Sequence, residues 1–313
     1  MLMMFTLMAV GFILRRLHAI PDNAGSTLSK LETFVLTPTL LLNNQLNKCN
    51  LSNFTENAPL MLYGLGLIVL AIVIAYPLSL LFVSRKSKEP GADYKRNVYK
   101  YSIAFANFGF AGNYIVTNIF GDDMFFKYSL FTFFLTLLCY AWGLFILIPK
   151  DAAKKSIFSG LKKGLLTPPM IAMLTGIIGG LLGVKNYLPD FFMRALSDAS
   201  KCYGPIAMFV AGIIIGGFNL KKLFGKKKVY FLSALRLIVI PTLFVLLLKL
   251  LHADEQIITF AIIAFSVPLG LNTIVYPATY GGDTEEGASM VLISNVLCVI
   301  TLPIMYTLLT SFI

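Results

Sequence analysis

AFANFGFAGNYIVTNIFGDD at residues 104–123 and AFSVPLGLNTIVYPATYGGD at residues 264–283 are two versions of one motif, 160 residues apart. Both open on Ala-Phe, carry Asn-x-Ile-Val in the middle, and close on an aromatic, Gly, any residue and Asp. Each lies in an apolar stretch long enough to cross a bilayer, and each is interrupted by residues that break helices. Matched, interrupted apolar segments in two halves of a chain mark the binding site of a secondary transporter.

The composition around the motif agrees. Of the 313 residues, 57% are hydrophobic and 13% charged, whereas a soluble domain is about a quarter charged. The chain therefore reads as a polytopic membrane protein with the lipid bilayer as its first partner. The net charge of +11 needs no nucleic acid, because Lys and Arg collect in the cytoplasmic loops of membrane proteins. Four cysteines (Cys49, Cys139, Cys202, Cys298) and two histidines (His18, His252) form no CxxC and no ligand cluster. No metal and no cofactor is expected. Cys139 and Cys298 read as small packing residues, while Cys49 and Cys202, near external loops, leave a disulfide open.

The first apolar run, residues 1–14, precedes Arg15 and Arg16. A cleaved signal carries its positive charge ahead of the apolar core, so this run reads as a retained helix, short for a core of about 30 Å; residues upstream of it are an open alternative. Hydrophobic runs place ten helices at 1–17, 26–46, 60–83, 101–120, 128–148, 165–184, 203–220, 229–251, 257–280 and 288–313. Alternate loops (Arg15–Arg16, 85–100, 150–163 and 221–228) carry 18 Lys and Arg against 5 in the others. The richer side is cytoplasmic, which puts both termini outside in the plasma (inner) membrane.

Five helices per half is an odd number, so the second half enters from the opposite face. The expected fold is an all-α membrane protein of ten transmembrane helices, a 5+5 inverted repeat. Residues 1–149 form the first repeat, 150–164 a basic cytoplasmic linker, and 165–313 the second repeat. Ser29-Lys30 ahead of Pro38 matches Ser200-Lys201 ahead of Pro205, and Ser129 with Cys139 matches Ser289 with Cys298.

Predicted helices 4 and 9 are broken and cross. Helix 4 holds Asn107, Gly109, Gly112 and Asn113 at mid-span; helix 9 holds Pro268, Gly270, Asn272 and Thr273. Glycine is a poor helix former, and proline removes an N–H and clashes with the carbonyl four residues back. Such breaks persist in a membrane only against protein or a wet cavity. Each bares the N-terminus of a half-helix, with free N–H groups and partial positive charge, and two of them facing one cavity hold an anion. These eight residues are the expected substrate-binding set, with the three asparagines adding donors. Interhelical packing is the plainer reading for any one of them taken alone. Asn118 and Pro277 lie nearer helix ends and read as structural.

The deepest charges elsewhere are Glu32 and Arg236. Intramembrane charges are functional candidates, and Glu32 is the candidate for coupling to protons. Both sit near predicted cytoplasmic ends, where snorkelling accounts for them structurally. Gly176/Gly180, Gly179/Gly183 and Gly212/Gly216 have the spacing of close helix contacts, within one subunit or across a dimer face.

The chain resembles the auxin efflux carrier family in its prokaryotic branch. The resemblance rests on Asn107-Phe108-Gly109-Phe110-Ala111-Gly112, LLTPPMIAMLTGIIGG at 165–180, Pro205 with Gly212, Val267-Pro268, and VLISNVLCVITLP at 291–303. It implies a ten-helix carrier with scaffold helices 1, 2, 6 and 7 and transport helices 3–5 and 8–10. It also implies a homodimer through the scaffold and small organic anions, such as malate or malonate, as substrates. Asn107 and Pro268 match the family's crossing residues, whereas Tyr114 stands where the family usually has proline. The rival readings are a sodium-coupled organic-anion symporter of the bile-acid class, a membrane sensor, which would normally carry a soluble output domain, and a membrane enzyme, for which no nucleophile–base pair is found.

Overall fold

The computed structural model describes residues 2–148, 162, 164–219, 224–279 and 284–311, and among them there is no strand. The basic linker at 150–164 falls almost wholly outside the described residues, as does Asp283. The helices are α1 (Leu2–Arg16), α2 (24–48), α3 (Leu51–Ser79), α4a (Ala92–Ala104), α4b (108–120), α5 (121–147), α6 (Pro168–Leu181), α7 (Asp190–Gly216), α8 (Lys227–Leu250), α9a (Glu255–Ser266), α9b (Asn272–Thr279) and α10 (Glu285–Ser311). Among the described residues, α3, α7, α8 and α10 are each long and apolar enough to cross a membrane. The bent run from α4a to α5 adds a fifth candidate. The protein is an all-helical membrane protein.

The ends of several helices differ from the hydropathy reading. Helix α3 begins at Leu51 rather than 60, α4a at Ala92 rather than 101, and α7 at Asp190 rather than 203. Each extension is polar or amphipathic, for instance ADYKRNVYK at 92–100, and so is invisible to an apolar window. Asn50 caps α3 by accepting from the Asn53 N–H at 2.8 Å.

Two groups of helices can be distinguished by packing. Helix α1 lies along α7, and α2 lies against both α6 and α7. The α1–α7 seam is made by missing side chains: a Cβ at Gly212 would overlap the Met8 carbonyl, and one at Gly11 would overlap the Phe209 carbonyl. Gly176 and Gly180 face Gln45 and Cys49 of α2 in the same way. The small-residue pairs thus serve contacts inside one subunit, except Gly183, which is a left-handed turn residue at φ 65° after α6. Helices α3, α4a and α5 pack together, as do α8, α9a and α10.

All four cysteines are free. Cys49 is buried, with its thiol 3.7 Å from the Ile177 carbonyl, while Cys202 is exposed; no disulfide joins them. Glu32 and Arg236 do not snorkel. They are 1% and 0% exposed, each on a π-helical turn (Glu32–Leu36 and Leu235–Val239). A π-turn admits one extra residue and swings a side chain off its 3.6-residue face, and both side chains are turned into the protein.

Candidate functional site

The two motif segments are interrupted at matching places. Helix α4a ends at Ala104 and α4b resumes at Phe108; α9a ends at Ser266 and α9b resumes at Asn272. Pro268 has no N–H to continue α9a, and Val267 is extended at ψ 157°. The orphaned groups find partners. The Leu269 N–H donates to Ser294 Oγ of α10 at 2.9 Å, and the Phe265 carbonyl accepts from Arg236 Nη1 at 2.7 Å. Most telling, the Asn107 N–H donates to the Pro268 carbonyl at 2.8 Å, so the two breaks touch through their backbones.

A partly open cavity of about 60 Å³ lies beside this contact. Its wall includes Ala106 to Phe110 and Asn113 from the first break, and Gly270 to Asn272 from the second. The first turns of α4b and α9b both border it, and the first N–H groups of a helix have no partner within the helix. Helix α2 adds Thr33, Thr37 and Leu41; α5 adds Ser129, Thr132, Thr136, Cys139 and Tyr140; α6 adds Pro169 and Met173. None of these residues carries a formal charge at neutral pH, and among the described residues no group of His, Cys, Asp and Glu is arranged to hold a metal.

Of the eight residues expected to bind substrate, five line this cavity: Asn107, Gly109, Asn113, Gly270 and Asn272. Their side chains are not equally free. Asn107 makes no capping bond through its amide. Asn113 is buried, and the Tyr203 hydroxyl donates to the Gly109 carbonyl of the same segment. Asn272 directs its amide to the Tyr101 hydroxyl at 2.8 Å and towards Cys139 Sγ at 3.5 Å. The other three lie behind the wall. Gly112 faces the Tyr128 hydroxyl, where a Cβ would collide. Thr273 is 1% exposed and bonds the Gly270 carbonyl at 3.2 Å. Pro268 borders a smaller cavity on the far side of the Asn107 contact, shared with Asn107, Ala111, Asn295 and Cys298. Glu32 is not in the lining either, although its neighbour Thr33 is.

The polar stripe on α5 was missed by reading the sequence for helix breakers. Its signal was present: Ser129, Thr132, Thr136 and Tyr140 recur every three or four residues in an apolar helix, which puts them on one face. Ser129 accepts from Gln45 Nε2 at 2.7 Å, and the hydroxyls of Thr132 and Thr136 bond their own helix. Thr37 Oγ1 has no protein partner and is a free donor. The donors without a partner in the fold thus come from the half-helix N-termini, the Asn107 amide and Thr37.

Residues 1–306 match the model of the membrane transport protein family. A relative from Methanothermobacter thermautotrophicus, described as an uncharacterized transporter, is 22% identical over 303 residues, covering 97% of this chain and 95% of the relative.

Proposed function

This chain belongs to the auxin efflux carrier family of membrane transport proteins, and from that premise we propose that it is a secondary carrier of small carboxylates. The observation that carries the reading is the contact of two broken helices beside a polar cavity with no charged lining residue. Bared N–H groups and two helix dipoles favour a carboxylate by roughly 0.3–2 kcal/mol per helix end. That is enough for recognition and weak enough for release.

The fold we infer is the ten-helix 5+5 inverted repeat, with α4a–α4b and α9a–α9b as the crossing helices, α1, α2, α6 and α7 as scaffold, and the rest as the transport domain. The two cavities support it. The larger is lined from helices 2, 4, 5, 6 and 9; the smaller, of about 20 Å³, from helices 7, 9, 10, 1 and 4. Exchange of the repeats maps the first set onto the second, with Cys139 corresponding to Cys298. In an alternating-access cycle one cavity opens as the other closes. The orientation, in the plasma membrane with basic loops cytoplasmic and a homodimer formed through the scaffold, belongs to the same proposal. Glu32 is proposed to take up a proton coupled to transport. It is buried, and its Oε1 has no partner.

The test is uptake of labelled malonate and malate into proteoliposomes, with and without a sodium gradient and across pH. Uptake is expected to saturate, to need no sodium, and to lose its pH dependence in Glu32→Gln. Undiminished uptake in Asn107→Ala combined with Asn272→Ala would sink the site, and strict sodium dependence would favour the bile-acid-type symporter.

A further inference from the structure

Arg236 is fully buried on the π-turn of α8, and only one of its guanidinium nitrogens is used: Nη1 donates to the Phe265 carbonyl, while Nε and Nη2 have no partner. Among the described residues no carboxylate pairs with it. Its guanidinium carbon also stands 5.4 Å from the centre of the Phe265 ring. A buried cation with no carboxylate partner is costly even so, and the hydrogen bond does not require the charge, since a neutral donor can serve a carbonyl. The charge sits beside the carbonyl end of α9a, where it offsets the negative pole of that half-helix. The positive poles of α4b and α9b are left to act on the cavity alone.

We infer that Arg236 is the residue that makes this neutral-walled cavity select anions, acting through the field across the α9 break rather than by touching the ligand. The inference rests on the carboxylate-carrier reading above. Five residues of chain separate Phe265 from Gly270 at the cavity wall. At no more than about 3.6 Å per residue, the guanidinium stands within roughly 20 Å of a bound ligand. Coulomb's law at an effective dielectric of about 20, over roughly 12–20 Å, gives a preference of about fourfold to tenfold for each ligand charge.

The experiment compares binding of malonate with that of its neutral diamide, malonamide, to the full-length protein in nanodiscs. Wild type is expected to favour malonate. Arg236→Gln keeps a donor for Phe265 and removes the charge; its malonate-to-malonamide ratio should fall at least fourfold with malonamide binding unchanged. Arg236→Lys keeps the charge and should stay within about twofold of the wild-type ratio. Arg236→Met removes the uncompensated cation for an apolar side chain and carries the same readout should the glutamine variant fail to fold. A wild-type ratio in the glutamine or methionine variant, or an equal loss of both ligands, overturns the inference. So does a lysine variant as indifferent to charge as the glutamine one. Wild type that binds neither malonate nor malate would instead overturn the carboxylate reading itself.

Discussion

Replacement of Asn107 by alanine isolates the side chain from the architecture it sits in. The contact between the two breaks is made by the Asn107 backbone N–H, 2.8 Å from the Pro268 carbonyl, and alanine keeps it. The Asn107 carbonyl also accepts from the Ala111 and Gly112 N–H groups at 2.9 and 3.1 Å, and alanine keeps those bonds too. The amide itself caps nothing, so its loss removes no bond from the resting fold, and Tm in detergent should move by no more than about 2 °C. What is removed is a donor on the cavity wall. A hydrogen bond to a charged group contributes about 1.5–3 kcal/mol, so KM for malonate uptake should rise roughly tenfold to a hundredfold. The assay is initial-rate uptake into proteoliposomes, with Tm measured on the same preparation. A KM within twofold of wild type would refute the assignment of Asn107 as a substrate donor. A large Tm loss would refute the separation of side chain from backbone on which the reasoning rests.

Three further outcomes follow from the packing. Gly212→Val should lower stability by about 1–3 kcal/mol through overpacking, read as a loss of Tm, because its side chain meets the Met8 carbonyl; Gly66→Ala, with open space around the added carbon, should not. In a Cys202→Ser background, small thiol reagents should modify Cys139 in the larger cavity before Cys298 in the smaller one, and saturating malonate should protect Cys139; equal rates at both would count against the assignment of one open and one closed cavity. Tyr99→Phe removes a hydroxyl that bonds the buried Glu286 carboxylate, which also meets Lys226 at 3.0 Å; it should cost about 1–3 kcal/mol by chemical denaturation, and a neutral result would assign that carboxylate wholly to the lysine.

The breaks were legible because proline and glycine act on the backbone, yet proline alone does not decide the outcome: α9a ends two residues before Pro268 and Gly270 follows it, whereas Pro205 and Pro303 sit inside α7 and α10. The cavity wall was only partly legible, because which face of a helix meets the cavity depends on its winding. Gly112 was counted into the site as a helix breaker at mid-span, but it ends the π-turn Phe108–Gly112 and faces Tyr128. The burial of Glu32 and Arg236, each on a π-turn of its own, depends likewise on winding that an apolar window does not show. Asn272 shows a different limit. Its position at the head of α9b was readable, but that its amide is held by Tyr101 and Cys139 depends on α4a and α5, more than a hundred residues away.

The asymmetry between the two halves is as informative as their likeness. Both breaks bare a half-helix N-terminus, but among the described residues only the second has a cation bonded to the carbonyl end that precedes it. Only the first presents an asparagine amide free of bonds within the fold. The second half then supplies field and the first supplies a directional hydrogen bond. A repeat of two identical halves would bind its guest on the pseudo-symmetry axis, with equal grip from both faces. On the proposed cycle, unequal halves would hold it off that axis, against α4b and α5, where the larger cavity and the threonine stripe lie. Movement of the guest from one face to the other would then require the wall around Asn107 to move with it, because the smaller cavity beyond Pro268 offers Asn107 and Asn295 as its polar side chains. Asn107 borders both cavities, which makes it the substrate-binding candidate that the proposed cycle would use in either state.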